Sequence, residues 1–117
     1  MRPLGVHHVA IKVRDLAACE AFYTNQLGLA LLARHPHSVW LDLGGGAILM
    51  LEQGEGGPDT APLADAAAGL HLLALRIART DRDEWSRRLA VADTTAYTLY
   101  VRDPEGNRIG LSHYPDP

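Results

Sequence analysis

The sequence has a single cysteine, no cluster of basic residues and no apolar stretch long enough to cross a bilayer. One thiol, Cys19, cannot form an internal disulfide, which fits a reducing compartment, and we expect a cytoplasmic protein. The 11 basic residues are scattered and the net charge is −3, so neither nucleic acid nor a membrane is an expected partner. Hydrophobic residues make up 47% of the 117 residues, which is typical of one folded globular domain and excludes a disordered chain.

One strand pattern occurs twice. Residues 5–13 and 69–77 both read Gly, apolar, His, any residue, apolar, Ala, apolar, basic, apolar, and a helical pattern follows each copy. This repeat predicts two half-domains related by a pseudo-twofold axis, with a cleft where they meet. We therefore expect a single domain over residues 1–117, with module 1 at about 4–53, a linker at 54–68 and module 2 at about 69–114.

Module 1 has the signals of a strand, a helix and three further strands. Alternation in the first strand places His8, Ala10 and Lys12 on one face, with β-branched residues on a helix-covered face. Asp15 is a helix N-cap and Gly28 suits a left-handed helix end. Strands are predicted at 29–34, 39–43 and 47–52, with the glycines of 44–46 as a hairpin turn.

Module 2 repeats this order in shorter form. It begins with the strand 69–77, followed by a capping box at 81–84 that predicts the start of a helix. Only residues 91–95 separate that helix from the hairpin strands 97–102 and 108–113, so one strand is expected to be shortened or lost. A helical turn is predicted at 63–68, inside the linker. The fold class is therefore α+β: paired βαβββ modules, the second abbreviated, forming a curled mixed sheet around a cleft.

The sequence resembles the vicinal oxygen chelate superfamily, which includes glyoxalase I, extradiol dioxygenases, fosfomycin-resistance enzymes and bleomycin-resistance proteins. The resemblance is carried by residues 8–16 (HVAIKVRDL), 22–23 (FY), 27–29 (LGL) and 101–109 (VRDPEGNRI). It implies a homodimer. It also implies a divalent metal (Mn, Fe, Ni or Zn), held by two residues from each module, that acts as a Lewis acid.

Of the four metal-ligand positions that the resemblance implies, only one is clearly kept, and two hold residues that cannot bind a metal. The first position is His8, and its counterpart in module 2 is Leu72, with His71 one residue away and expected to point to the helix side. The third falls at Met50, with Glu52 two residues further on the same face, and the fourth is Gly110. We therefore expect the usual metal site to be absent.

Three hypotheses about function remain open. The first is a small-molecule binder that resembles bleomycin-resistance proteins, has a degenerate metal site and needs no cofactor. The second is a divalent-metal-dependent lyase, isomerase or dioxygenase that uses His8, Glu52 and His71 as ligands. The third is an accessory protein whose cavity has collapsed. The residues expected to bind the ligand are His8, Trp40, Met50, Glu52, Leu72, Tyr100 and Gly110.

Several of these residues also have a purely structural interpretation. Trp40 could serve as an aromatic stacking wall or as ordinary core packing, and Glu52 as an acidic ligand contact or a solvated strand end. Lys12 and Arg76 are equivalent across the repeat and could meet an anion or simply lie at the surface. The pattern does not assign faces to Tyr100, Arg102 and Ser112.

Overall fold

The computed structural model describes residues 1–55 and 68–117. The chain divides into two compact units, Met1–Gly57 and Pro58–Pro117, and each contains one four-stranded mixed sheet. We call them the first and second units. The predicted fold class is confirmed, because both units have the order strand, helix, strand, strand, strand.

The first unit forms a sheet with the strand order β1-β4-β3-β2. Its elements are β1 (His8–Val13), α1 (Leu16–Ala21), a π-helical turn (Phe22–Gln26), β2 (Leu31–His35), β3 (Ser38–Gly44) and β4 (Ala47–Gln53). β1 runs parallel to β4, and the other neighbours are antiparallel. The connection between these two parallel strands contains α1, β2 and β3, and a parallel pair needs such a long crossover connection.

The second unit has the equivalent order β5-β8-β7-β6, again with one parallel pair, β5 and β8. Its elements are β5 (Leu73–Arg76), a 3₁₀ turn (Arg79–Asp81), α2 (Arg82–Arg88), β6 (Asp93–Thr94), β7 (Thr98–Arg102) and β8 (Arg108–Ser112). β6 has only two residues, so the strand expected to be shortened or lost is present in minimal form.

One face of each sheet supplies the core. In the first sheet the buried face carries Val13, Val39, Leu41, Leu49 and Leu51. On that side α1 and the π-helical turn contribute Cys19, Phe22 and Tyr23, which are all buried. Each such side chain contributes about 1.5–3 kcal/mol by leaving water. The period-2 prediction for β1 is confirmed, because its burial alternates along the strand.

Local sequence signals explain where the elements of the first unit begin and end. Asp15 caps α1, since its Oδ1 accepts a hydrogen bond of 3.0 Å from the Ala18 N–H. Gly28 follows the helical segment with φ of 77°, a left-handed conformation that suits glycine. Gly45 and Gly46 have φ of 62° and 87°, as a two-residue turn between β3 and β4 needs. These three predictions are confirmed.

An ion pair links α1 to β2. Arg34 donates from Nε to Glu20 Oε1 at 2.7 Å and from Nη2 to Glu20 Oε2 at 3.0 Å. Hydrogen bonding by the guanidinium lowers the pKa of the Glu20 carboxyl below its ordinary value, and burial offsets part of this. The same hydrogen bonds raise the pKa of Arg34.

The turn between β7 and β8 is built around one buried carboxylate. Asp103 is 5% exposed, and its Oδ1 accepts from the backbone N–H groups of Glu105 and Asn107 at 2.9 and 2.8 Å. Its Oδ2 accepts from Asn107 Nδ2 at 2.8 Å. Gly106 has φ of 83°, which closes the turn. The Asp-Pro-Glu-Gly-Asn segment therefore has a structural role, because its first and last residues hydrogen-bond to each other.

Three predictions for the second unit differ from the structure or lie partly outside the described residues. The predicted strand 69–77 is shorter, since pairing with β8 begins only at Leu73. α2 begins at Arg82, as the capping box predicts, but Asp81 makes no capping hydrogen bond because it has the helical conformation of the 3₁₀ turn that it ends. Residues 63–67 of the predicted helical turn lie outside the described residues.

Candidate functional site

The predicted binding residues of the first unit lie on one face of its sheet. Strand register sets Met50 opposite both Ala10 and Trp40, and Glu52 opposite Lys12. We call this less buried side the first open face. It carries His8, Ala10, Lys12, Ser38, Trp40, Asp42, Ile48, Met50 and Glu52.

Trp40 is the largest side chain on the first open face. It is partly exposed, and the His35 ring stacks against it at a tilt with the ring centroids 4.7 Å apart. Met50 lies opposite Trp40 on β4, so the indole is bordered by a thioether on one side and an imidazole on the other. This arrangement holds the indole in place while one part of it can still contact a flat ligand.

His8 begins β1 and is exposed. Its Nδ1 lies 2.9 Å from Nδ1 of His7, so one of the two nitrogens donates a hydrogen bond to the other. Nε2 of His8 is the nitrogen that this hydrogen bond does not use. It is therefore the atom that His8 can offer to a ligand on this face.

The register separates His8 from Glu52. His8 is opposite Ile48 and Glu52 is opposite Lys12, so the two positions are four residues apart along the strands. At about 3.3 Å per residue this is roughly 13 Å, which is further than an imidazole and a carboxylate can reach to share one ion at about 2.1 Å. Met50 lies on β4 only two residues beyond Ile48, the residue opposite His8. It is therefore close enough to share a ligand with His8.

The second open face is the corresponding side of the second sheet. It carries Ala74, Arg76, Thr98, Tyr100, Arg102, Arg108, Gly110 and Ser112. Tyr100 is opposite Gly110 and Thr98 is opposite Ser112, where the two hydroxyls hydrogen-bond at 3.0 Å. The faces of Tyr100, Arg102 and Ser112, which the sequence left open, are therefore assigned by the register.

Gly110 sits in an apolar environment. A Cβ at this position would stand 3.3 Å from Thr98 Cγ2 and 3.5 Å from both Ala74 Cβ and Leu72 Cδ1. Leu72 thus reaches over the second open face beside Gly110. The two positions at which the resemblance implies metal ligands in this unit are in contact with each other, and neither has a donor atom.

His71 lies just before β5 and contacts a buried arginine. Nη1 of Arg108, which is 7% exposed, lies 3.3 Å from Nδ1 of His71 and donates to it, because a guanidinium cannot accept. The alternation argument for His71 assumed a strand at this position, and no strand is present there. Arg108 was missed by the sequence analysis, although it shares the alternation of Gly110.

The residues present do not fit a metal site of the kind that the resemblance implies. Of the four positions only His8 offers a ligand for a hard divalent ion, and a thioether such as Met50 suits softer metals. Within each unit, as far as residues 1–55 and 68–117 show, no three His, Cys, Asp or Glu side chains group together to hold an ion.

Two units of strand, helix and three strands, each with one buried and one open face, define a glyoxalase-type fold. The model of the Glyoxalase/Bleomycin resistance protein/Dioxygenase superfamily matches residues 5–111, and the chain belongs to this superfamily. The predicted family is thereby confirmed. No curated protein matches the chain.

Solved structures of the same fold cover almost the whole chain. A glyoxalase/dioxygenase from Nostoc punctiforme is 24% identical, with a TM-score of 0.81 over 97% of this chain and 92% of its own. Lactoylglutathione lyase from Agrobacterium tumefaciens is 21% identical, with a TM-score of 0.70 over 97% and 96%. The fosfomycin resistance protein FosX from Listeria monocytogenes is 15% identical, with a TM-score of 0.73 over 95% and 91%. At these identities the similarity shows the fold alone.

The helices are short. Among the residues that the structure describes, none forms a helix with the length and apolar character needed to span a membrane.

Proposed function

We propose that this protein is a small-molecule binder of the bleomycin-resistance type, with a degenerate metal site. The observation that carries the proposal is the contact between Leu72 and Gly110 on the second open face. Both stand where a metal-dependent relative would need donor atoms. An apolar patch at that place favours binding of a ligand by surface contact over its activation by an ion.

The chemistry of the two open faces indicates what kind of ligand would bind. Trp40, with its neighbours His35 and Met50, offers a flat apolar contact. Tyr100, beside Gly110, offers a second aromatic ring with a hydroxyl. His8 and Glu52, at the two ends of the first open face, supply polar contacts. The first open face by itself matches a ligand with an aromatic or broad apolar group and separate polar groups.

The second candidate is a divalent-metal-dependent lyase, isomerase or dioxygenase. It is favoured by the exposed His8 at the start of β1 and by a fold shared with a lactoylglutathione lyase. The separation between His8 and Glu52 counts against it. Metal analysis discriminates between the two candidates: about one equivalent of Mn, Fe, Ni or Zn in protein purified without chelator would favour the metal-dependent enzyme.

Tryptophan fluorescence tests the binding proposal directly. The chain has two tryptophans, so W85F leaves Trp40 as the only one, and W40F is the matched control. We expect saturable quenching of W85F by at least one of bleomycin, fosfomycin and lactoylglutathione, and no saturable change in W40F. If W85F shows no saturable response to these compounds or to a wider library of metabolites and antibiotics, the proposal fails.

We also propose that the protein is a cytoplasmic homodimer. Each sheet ends in two edge strands, β1 and β2 in the first and β5 and β6 in the second. Leu31 and Leu32 are exposed on β2, where an apolar edge favours pairing with another chain. Sedimentation at micromolar concentration is expected to give the mass of two chains, and a single monomeric species would refute the dimer.

A further inference from the structure

Two adjoining cavities lie beyond the carboxyl ends of β5 and β8, and Arg76, at the end of the second open face, lines one of them. Each has a volume of about 310 Å³, and they share Arg79, Thr80 and His113 as lining residues. The rest of the first cavity is lined by Arg82, Asp83, Ala96 and Pro117. The space outside the carboxyl ends of parallel strands is a common ligand position in open α/β sheets.

The lining is rich in positive charge. Arg79 and Arg82 face one acid, Asp83, in the first cavity. In the second, Arg76 and Arg79 face Asp116. Three guanidinium groups thus lie beside two side-chain carboxylates, and a main-chain oxygen of Pro117 is a further acceptor next to Arg79. Guanidinium groups gathered in one place favour an anion as the ligand.

Arg82 is held in position by hydrogen bonds to the protein. Its Nη1 donates to Nε2 of His113 at 2.9 Å, and its Nη2 donates to the Thr95 carbonyl at 2.8 Å. His113 is 5% exposed, and its Nδ1 lies 2.5 Å from the Asp116 carbonyl, to which it donates. The guanidinium is therefore fixed before any ligand arrives, which lowers the entropy cost of binding.

Arg79 already holds an oxygen acceptor. Its Nε donates to the main-chain oxygen of Pro117, which lines the same cavity. The main-chain oxygen of Pro117 thus stands beside the Arg79 guanidinium, where an oxygen of a bound carboxylate or phosphate would also be expected. Arg79 is exposed, so its remaining N–H groups can turn towards a ligand in either cavity.

We propose that this cavity pair is a binding site for a small oxyanion, a carboxylate or a phosphate, held between Arg79 and Arg82. A planar guanidinium binds both groups through paired hydrogen bonds, and the Thr80 hydroxyl adds a further donor. The proposal does not rest on the proposed function: the cavity pair shares Arg76 with the second open face, but neither Trp40 nor Gly110 lines it.

Titration of the isotope-labelled protein at constant ionic strength tests the proposal, with inorganic phosphate in one arm and acetate in the other. Saturable amide shifts are expected at residues 79–83 and 113–117 but not along β1 or β7, with a Kd of about 1 mM or tighter in at least one arm. The arm that saturates identifies the oxyanion class. R79Q is expected to weaken that binding by about tenfold or more.

R87Q is the matched control. Arg87 lies on α2 and pairs with Glu84 at the surface, where both side chains are about 70% exposed, and it lines neither cavity. The affinity of the R87Q protein for phosphate or acetate should stay within about twofold of the affinity of the wild type. Shifts that do not saturate in either arm, saturable shifts confined to other residues, or an R79Q protein that binds as tightly as the wild type would each overturn the proposal.

Discussion

The side chain of Leu72 lies against Gly110, with its Cδ1 3.5 Å from the place where a Cβ of residue 110 would stand. Two neighbouring chain segments thus meet through apolar groups on the second open face. In the metal-dependent members that the sequence resembles, donor atoms are implied at these positions. A leucine and a glycine at these positions have no side-chain donor for a cation, and this apolar surface supports the proposed function.

Restoring donor groups at these two positions should create affinity for a metal. The double variant L72H/G110E places an imidazole and a carboxylate side by side on the second open face. Gly110 has ordinary backbone geometry, and only the Thr98 methyl group, at 3.3 Å, must move slightly to admit a Cβ. We expect a gain of at least about tenfold in affinity for Ni²⁺ or Zn²⁺ over the wild type, measured by calorimetry.

The control for this variant is L72H/G110Q, which has the same shape without the negative charge. It should gain less affinity than L72H/G110E, because a neutral amide is a weaker ligand than a carboxylate. Equal metal affinity in the wild type and L72H/G110E would show that the second open face is not the metal-facing surface of the fold.

Removing the buried carboxylate of the β7–β8 turn should destabilise the protein. In D103A the backbone N–H groups of Glu105 and Asn107 lose their acceptor, and so does the Asn107 side-chain amide, since all three donate to the Asp103 carboxylate. We expect a loss of about 3 kcal/mol in the free energy of unfolding, measured with urea. Asp93 is exposed and its Oδ1 accepts only a local bond from the Thr94 N–H, so D93A is expected to lose less than about 1 kcal/mol. Equal losses in the two variants would contradict this account of the turn.

The ion pair between Glu20 and Arg34 should make stability depend on pH. Because the pKa of Glu20 is lowered in the folded protein, ionised Glu20 stabilises the fold above the ordinary glutamate pKa of about 4.3. This contribution is lost as the pH falls through the lowered pKa of the folded state. E20Q should therefore be less stable than the wild type at pH 7, and the difference should vanish in acid.

The control is E84Q. The Glu84–Arg87 pair is exposed on both sides, and its removal should leave stability nearly unchanged at both pH values. Thermal unfolding of the three proteins across the pH range measures the effect. An E20Q curve that stays parallel to that of the wild type down to low pH would rule out the coupling.

The hydrogen bonds of His113 fix which nitrogen of its ring carries the proton. Arg82 can only donate, so Nε2 accepts, and the proton sits on Nδ1, facing the Asp116 carbonyl. Long-range ¹⁵N correlation spectra at neutral pH should show the Nδ1–H form of this ring. In R82Q, where the guanidinium is removed, the population of the Nε2–H form should rise. A wild-type spectrum with the proton on Nε2 would exclude the arrangement.

Short-range signals in the sequence predicted much of the fold. Alternation in β1, the Asp15 cap and the glycine turn between β3 and β4 depend on neighbouring residues, and the structure confirms them. Signals that depend on distant partners were less reliable. β5 begins at Leu73 because that is where β8 offers a partner, and the 3₁₀ turn before α2 removes the expected cap at Asp81.

In the candidate site, too, local signals predicted more than signals that depend on distant partners. Alternation placed His8 and Lys12 on one face correctly, but only the register with β4 shows how far Glu52 lies from His8. Arg108 could be recognised as a partner of His71 only from the fold, because 37 residues separate the two in sequence. Side chains that act through pairings between distant segments cannot be located from local pattern alone.

The parallel pairing of β1 with β4 has a consequence for the order of assembly. Each of its contacts joins residues 40 positions apart, as in His8 with Ile48, whereas β2, β3 and β4 pair through tight hairpins. Contacts between distant residues form later because their loops are costly to close. During synthesis β1 leaves the ribosome before β4, so the edge of β1 that pairs with β4 stays without this partner until residues 47–53 have emerged.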